Sequence, residues 1–295
     1  MSENDLLRVV DYHKHFHVNK NLYIKAVDGI TFEVRRGEVF SLVGESGSGK
    51  STVAKAVMGI YPANKGSIYF KDRLISEKRA YAKAKKVLQK GIQIVFQDSA
   101  AALNPRMRVR EIIAEPLKIN KLFPTKDALM ERVIELMGQV GLDPLFANKF
   151  PNEISGGQRQ RVAIARAIGI NPDLIVADEP VASLDVSIQA QIINLFQFLR
   201  REKAFTFFFI AHDLSLVRYI SDRVGVMYAG KIVEVATAEE LFARPIHPYT
   251  QSLLSAIPVP DPAYERQKPL LAFDKREFNP NGILKTVAEG HQVLC

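Results

Sequence analysis

The chain has 295 residues, 47% of them hydrophobic and 24% charged, which suits one large soluble domain or a core domain with a subdomain inserted in it. Its one cysteine is the last residue, Cys295, which excludes a disulfide framework, a Cys-built zinc site and an all-Cys iron–sulfur cluster within one chain. Forty basic against 32 acidic residues leave a formal charge of +8 and a pI near 9.4, compatible with an anionic partner but not diagnostic of one.

The opening MSENDLL has no basic region followed by an apolar one, so no secretory signal is expected. Ile30, Phe32 and Val34 alternate with more polar residues as in a half-buried strand. Arg35-Arg36-Gly37 reads as a turn, and Val39 to Val43 is a continuous apolar run suited to a buried strand. A Gly-rich stretch follows, then a helical segment ended by Gly59 and Pro62. The basic run Lys78 to Lys90 reads as a solvated helix face and not a nucleic-acid groove, since its single aromatic, Tyr81, makes no interleaved set of stacking platforms.

Further short apolar runs lie at Ile92 to Phe96, Leu174 to Ala177, Phe205 to Ala211 and Val224 to Tyr228, with a helical pattern at Ser187 to Arg201. Strands alternating with helices predict an α/β fold with a largely parallel sheet. Arg108 to Leu117, Thr125 to Val140 and Gly156 to Ile170 break the alternation as three successive helices, an inserted helical subdomain. From Glu239 the pattern weakens, and Pro258, Pro260, Pro262 and Pro269 predict an extended tail. The longest apolar runs fall far short of the roughly 20 residues a membrane-spanning helix needs, so action at a membrane would require a partner.

Gly44-Glu45-Ser46-Gly47-Ser48-Gly49-Lys50-Ser51 follows a predicted strand and opens a predicted helix. Glycines let successive backbone N–H groups turn toward one anion, and the helix N-terminus adds a favourable dipole. Lys50 is placed to reach terminal phosphates and the Ser51 hydroxyl to hold Mg²⁺. In open α/β sheets ligands bind beyond the carboxyl ends of the strands. Asp178 and Glu179 end one apolar run and His212 follows another, which predicts all three at the sheet edge that carries the Gly-rich loop. An acidic pair there suggests one carboxylate for Mg²⁺ and one to polarise a water.

Ile154-Ser155-Gly156-Gly157-Gln158, followed by Arg159-Gln160-Arg161, lies 105 residues after Lys50 and shortly before the acidic pair. With this motif the sequence resembles the ATP-binding subunits of ABC transporters. The resemblance implies a P-loop NTPase (RecA-like) core of ABC type with an N-terminal antiparallel β subdomain and an inserted helical subdomain. The implied divisions are 1–97, 98–170, 171–236 and a C-terminal extension at 237–295. It implies ATP and Mg²⁺ as ligands. Gly44, Glu45, Ser46, Gly47, Ser48, Gly49, Lys50, Ser51 and Thr52 would hold the nucleotide, with Phe16, or second Tyr23, stacked on adenine. Ser155, Gly156, Gly157 and Gln158 would close over the γ-phosphate bound by a partner cassette. Gln97, Ser51 and Asp178 would serve the metal, Glu179 the attacking water as general base, and His212 the γ-phosphate. Ser183-Leu184-Asp185 matches the loop that couples two sites, Asp185 being counted with the nucleotide contacts. With the full set present, a hydrolytically competent site is expected.

Two stretches resemble the dipeptide and oligopeptide importers within that family. One is Gln97-Asp98 with Ala102-Leu103-Asn104-Pro105-Arg106 and Glu115-Pro116-Leu117; the other is His247-Pro248-Tyr249-Thr250 with Leu253 to Pro258. The implied partners are a second ATPase subunit, similar but distinct, with a homodimer left open; two transmembrane permease subunits; and an external solute-binding protein. The implied place is the cytoplasmic face of the membrane, with no nucleic acid expected. Importers of nickel and β-linked oligosaccharides share these features, and a soluble ABC ATPase of translation or repair is the distant alternative. Ser99 stands where relatives usually have proline, and Val181 to Ser183 exchanges small residues relative to the common order. The tail Gly290 to Cys295 resembles only the last piece of a cysteine-rich segment that can hold an iron–sulfur cluster, so no cluster is expected.

Overall fold

A computed structural model describes residues 4–17, 19, 22–258 and 268–295. The chain forms two compact units, one running to Ala82 and resuming at Phe208, the other spanning Lys83–Phe207.

In the first unit, β1 (Asp5–His17), β2 (Tyr23–Arg35), β4 (Lys65–Phe70) and β5 (Arg73–Leu74) form an antiparallel sheet in the order β2-β1-β4-β5. Its register sets Val9 opposite both Phe32 and Ile68, and Leu7 opposite Phe70, so one face of each strand meets the core. Ile30, Phe32 and Val34 are all buried, as their alternation predicts. Asp11 bulges out of β1 at φ +44, close over Gly66, where a Cβ would sit 1.9 Å from the Asp11 carbonyl. Only glycine permits that approach.

The second sheet of this unit is built around β3 (Val39–Val43), which pairs in parallel with β9 (Arg223–Tyr228). Its strand order runs β11-β12-β10-β9-β3-β8, with β10 at Lys231–Thr237, β11 at Leu284–Ala288, β12 at His291–Leu294 and β8 at Thr206–Ala211. The β9–β10 hairpin turns through Ala229 and Gly230, at φ +46 and +83, the left-handed pair that a two-residue loop matched to strand twist demands. Phe32, Phe40 and Phe208 stack with centroids 5.1–6.2 Å apart, a source of apolar burial and ring–ring attraction together. The helices of the first unit are α1 (Lys50–Val57), α8 (Leu214–Ile220), α9 (Ala238–Ala243) and α10 (Pro248–Ser255).

The second unit pairs β6 (Ile92–Val95) in parallel with β7 (Leu174–Asp178). It also holds α3 (Ser99–Ala102), α4 (Val109–Ile119), α5 (Lys126–Gln139), α6 (Gly156–Ile168) and α7 (Val186–Lys203). The buried stripes Val109-Ile112-Ile113-Leu117, Val133-Leu136-Met137 and Val162-Ala163-Ala167 sit at the three- and four-residue spacing of helices that share a core. Helix α2 (Lys78–Gly91) connects the units along the chain and buries only Ala84, Leu88 and Gly91, so its lysines do form a solvated face.

The tail departs from expectation. Instead of running extended from Glu239 it forms α9, α10 and the β11–β12 hairpin, with Glu234 opposite Val293 on β10. Glu234 and His291, 0% and 1% exposed, join at 2.7 Å, and Glu234 also accepts from the N–H groups of Ile246 and His247. A buried carboxylate is tolerated only when its oxygens are so satisfied, and here that requirement ties the last strand to the sheet. Pro258 and Pro269 lie between α10 and β11, while Pro260 and Pro262 lie outside the described residues.

Candidate nucleotide site

In the first unit the Gly-rich loop leaves the carboxyl end of β3 and runs into α1. Val43 lies opposite Val226, which brings Gly44 against the next residue of β9: a Cβ on Gly44, at φ +147, would stand 2.1 Å from the Met227 carbonyl oxygen. Gly49, at φ +110, is as tight against the Ala26 carbonyl, 2.2 Å from an added Cβ. The loop is therefore wedged between two backbones as well as turned for an anion. Lys50 is 4% exposed, and its Nζ donates to the carbonyls of Gly44 at 2.7 Å and Glu45 at 2.8 Å. The Ser48 carbonyl accepts from Gly230 N–H, so the β9–β10 turn braces the loop from below, while the Ser48 hydroxyl is enclosed without a hydrogen-bond partner. Glu45, Ser46 and Gly47 are exposed, with Ser51 and Thr52 half-buried at the head of α1. A buried ammonium, an enclosed hydroxyl and a turned backbone fit a polyphosphate.

Other first-unit residues stand around this loop's sheet. β8 borders β3, and His212 leaves its end exposed, just before Asp213 caps α8 by accepting from Ser215 N–H. Phe16, near the end of β1, is half-buried, with its ring edge-on to Tyr61 at 5.1 Å and Lys14 Nζ 5.4 Å from its centroid. Tyr23 is 49% exposed and leans on His15.

One residue that the motifs did not single out as a site joins the loop directly. The Tyr249 hydroxyl on α10 accepts from the Glu45 N–H at 3.0 Å. Burial pushes its pKa up to about 12, so it stays a neutral phenol, and its ring packs 4.5 Å from Tyr228. His-Pro-Tyr marked the tail in the sequence, but only folding carries it 204 residues back to the loop. Tyr249→Phe removes one acceptor worth about 0.5–1.5 kcal/mol. The expected result is a KM for ATP raised roughly two- to tenfold at unchanged kcat, and steady-state kinetics on the purified variant checks it.

The second unit carries the other predicted residues. Val95 lies opposite Ala177 in the parallel pair, so Gln97, Asp178 and Glu179 leave the same edge, Gln97 exposed and the two acids half-buried. Glu179 sits at φ +46, a left-handed backbone that costs a residue with a Cβ roughly 1–2 kcal/mol. The segment after it is pinned: Ser183 Oγ donates to the Gln97 carbonyl at 3.4 Å, and Gln189 Nε2 reaches the carbonyls of Val181 and Leu184. Gln189, which the motifs also missed, thus shapes the loop ending at Asp185, an exposed residue that heads α7.

Ser155 caps α6 reciprocally, its Oγ accepting from Gln158 N–H while Gln158 Oε1 accepts from Ser155 N–H. Gly157 is required by Ile188, whose Cγ2 would meet an added Cβ at 2.6 Å. Arg159 donates to the Ile154 and Pro151 carbonyls, stiffening the approach to the helix. Ser155 itself is exposed. At Ser99 the proline usual in relatives would occupy the first position of α3, where no helical N–H is needed. Serine there leaves the cap unchanged, Asp98 accepting from Ala100 and Ala101.

A phosphate cradle lined by obligatory glycines at the end of a buried parallel strand marks a P-loop ATPase. The bundled helices of the second unit, with the Ser155 motif at the head of one, place it in the ATP-binding-cassette class. The chain belongs to the ABC transporter family, whose profile matches residues 27–182. A second profile, the C-terminal region of oligopeptide/dipeptide transporters, matches residues 233–277. The chain is 48% identical to the oligopeptide transport ATP-binding protein OppF of Bacillus subtilis, over 98% of this chain and 96% of that one. It is 47% identical to OppF of Streptococcus mutans, over 100% and 96%. Among solved structures, the ATP-binding cassette MJ0796, a dimer in a post-hydrolysis state bound to ADP and Pi, is similar at a TM-score of 0.70 and 27% identity, covering 79% of this chain and 98% of that one. The activity is ATP hydrolysis of the ABC type, coupled to transport.

Proposed function

We propose that this chain is a motor subunit of an ABC importer that takes up di- and oligopeptides. The observation that carries this reading is the near-complete match to oligopeptide transport ATP-binding proteins, including the C-terminal region at 233–277. Nickel or β-linked oligosaccharide cargo is the alternative within the same motor role, because cargo would touch the permeases and the external binding protein and not this chain. The division into 1–97, 98–170, 171–236 and 237–295 belongs to the same reading.

Each residue's part follows from its chemistry. Phe16 offers a flat face to adenine. Lys50 and the N–H groups of the Gly44–Ser51 loop, with Thr52 behind them, take the phosphates. Ser51, Gln97 and Asp178 are all oxygen donors, the set a hard cation such as Mg²⁺ prefers. The cation would supply charge neutralisation on the phosphates. Glu179 would take the proton of the attacking water, and His212 would donate to the γ-phosphate.

The Ser155–Gln158 motif, with Ser155 exposed at the head of α6, would close on nucleotide held by a partner cassette, and Asp185 would lie at that junction. The dimeric state of the similar MJ0796 cassette supports such an arrangement. ATP favouring the closed pair over the open one would then be the source of work. Two permeases would engage the surface near Gln97 to Glu115 at the cytoplasmic face of the membrane; among the described residues no helix is long and apolar enough to cross it. Affinity purification from detergent-solubilised native membranes, with mass spectrometry, tests the reading. A second cassette, two multi-span proteins and a solute-binding protein are expected, and recovery of ribosomal proteins or DNA alone overturns it.

A further inference from the structure

The strand that presents Phe16 carries a separate cluster. β1 reads His13-Lys14-His15-Phe16-His17, and the period-two alternation of a strand turns His13 and His15 to one side. Pairing with β2 sets Asp28 opposite His13 and Lys25 opposite His15. His13 Nδ1 is 3.0 Å from Asp28 Oδ1, His15 Nε2 is 4.0 Å from the same oxygen, and the three residues each offer a donor atom within 4.8 Å of the other two. The other nitrogen of His13, Nε2, is 2.9 Å from Asp11 Oδ1, while Asp11 Oδ2 takes Lys65 Nζ at 2.8 Å. Asp11 is the bulged residue over Gly66, so the backbone irregularity of β1 aims this carboxylate at the imidazole.

A histidine bridging two aspartates would by itself account for His13, Asp11 and Asp28. It does not account for His15. The His15 Nε2 atom is enclosed and has no hydrogen-bond partner, although the side chain is only partly buried. An enclosed ring nitrogen without a partner calls for a ligand. We propose that His13 Nδ1, His15 Nε2 and Asp28 Oδ1 form a binding site for a zinc-type divalent cation, with water in the fourth position. Two imidazoles and one carboxylate with an open place are a zinc donor set. A tetrahedral ion with bonds of about 2.0–2.1 Å needs donors about 3.3 Å apart, so the rearrangement required is under an ångström for each pair with Asp28. Asp11 holds His13 as second carboxylates hold metal-bound histidines, fixing which nitrogen faces the ion.

The test uses the metal-stripped, nucleotide-free full chain titrated with Zn²⁺ by calorimetry, with Co²⁺ as the spectroscopic probe. One Zn²⁺ per chain is expected, with no competition from Mg²⁺, and Co²⁺ should give the intense visible bands of a tetrahedral site. His15→Gln and Asp28→Asn should each weaken Zn²⁺ binding at least about tenfold, and Asp11→Asn about tenfold through His13. In the unaltered protein, Zn²⁺ should shift the ring resonances of His13 and His15 ahead of those of His17, His212 and His247, a readout that survives any folding defect in the variants. No saturable Zn²⁺ binding, or an affinity unchanged by His15→Gln with the shifts falling on other histidines, overturns the proposal.

Discussion

Replacing Glu179 with glutamine is expected to abolish ATP turnover while leaving ATP binding within about threefold of the parent. The two side chains share shape and reach, and either residue bears the cost of φ +46 at this position, so the comparison isolates the proton acceptor. General base catalysis contributes roughly 10²–10⁴-fold, or about 3–5 kcal/mol of barrier, and kcat should fall by that factor. Phosphate release under saturating ATP, beside equilibrium binding of a fluorescent ATP analogue, separates chemistry from affinity. Hydrolysis at the parental rate would show that Glu179 is not the base, whereas loss of both activities would point to a damaged site instead.

The second large effect is expected at Lys50, where Lys50→Ala should weaken ATP binding at least about tenfold and leave no measurable hydrolysis. Its buried Nζ holds two loop carbonyls, those of Gly44 and Glu45, and it is the loop's one cation. Hydrogen bonds from a charged group are worth about 1.5–3 kcal/mol each, so one such bond lost to phosphate corresponds to roughly 10- to 150-fold in affinity. Truncation also removes the donor that ties the loop's first two residues to α1, and a lower melting temperature should accompany the lost affinity. Binding of the ATP analogue by the variant within threefold of the parent would remove Lys50 from the phosphate contacts.

Both residues are legible in the amino-acid sequence, because their chemistry depends on local order. A glycine-rich loop between an apolar run and a helix needs only consecutive residues to be recognised. The same holds for Asp178-Glu179 after Leu174–Ala177, and for Ser155 capping α6 through a residue three places on. The five apolar strand runs and the helices at 50–57, 109–119, 126–139, 156–168 and 186–203 are visible for the same reason, since their periodicities are written in neighbouring residues.

Other features are not legible locally. β1 carries Asp11, His13, Lys14, His15 and His17, a polar strand that exists because β2 and β4 pair with it on either side. The tail after Glu239 reads as extended because its strands are short and its decisive contact, His291 with Glu234, joins residues 57 apart. Tyr249 reaches Glu45 across 204 residues, and no spacing rule describes that distance.

The sequence alone determined the kind of chemistry: a nucleotide cradle, an acidic strand end and a second anion-facing helix start, in the order that defines an ABC ATPase. Only the tertiary structure decided which distant groups support that chemistry. It placed Tyr249 on the phosphate loop, the last strand on a buried carboxylate, and two histidines around Asp28. The physical reason is common to all three. Backbone geometry and periodicity are properties of adjacent residues, whereas a buried polar group must find its partner wherever folding delivers one, and that pairing leaves no local mark.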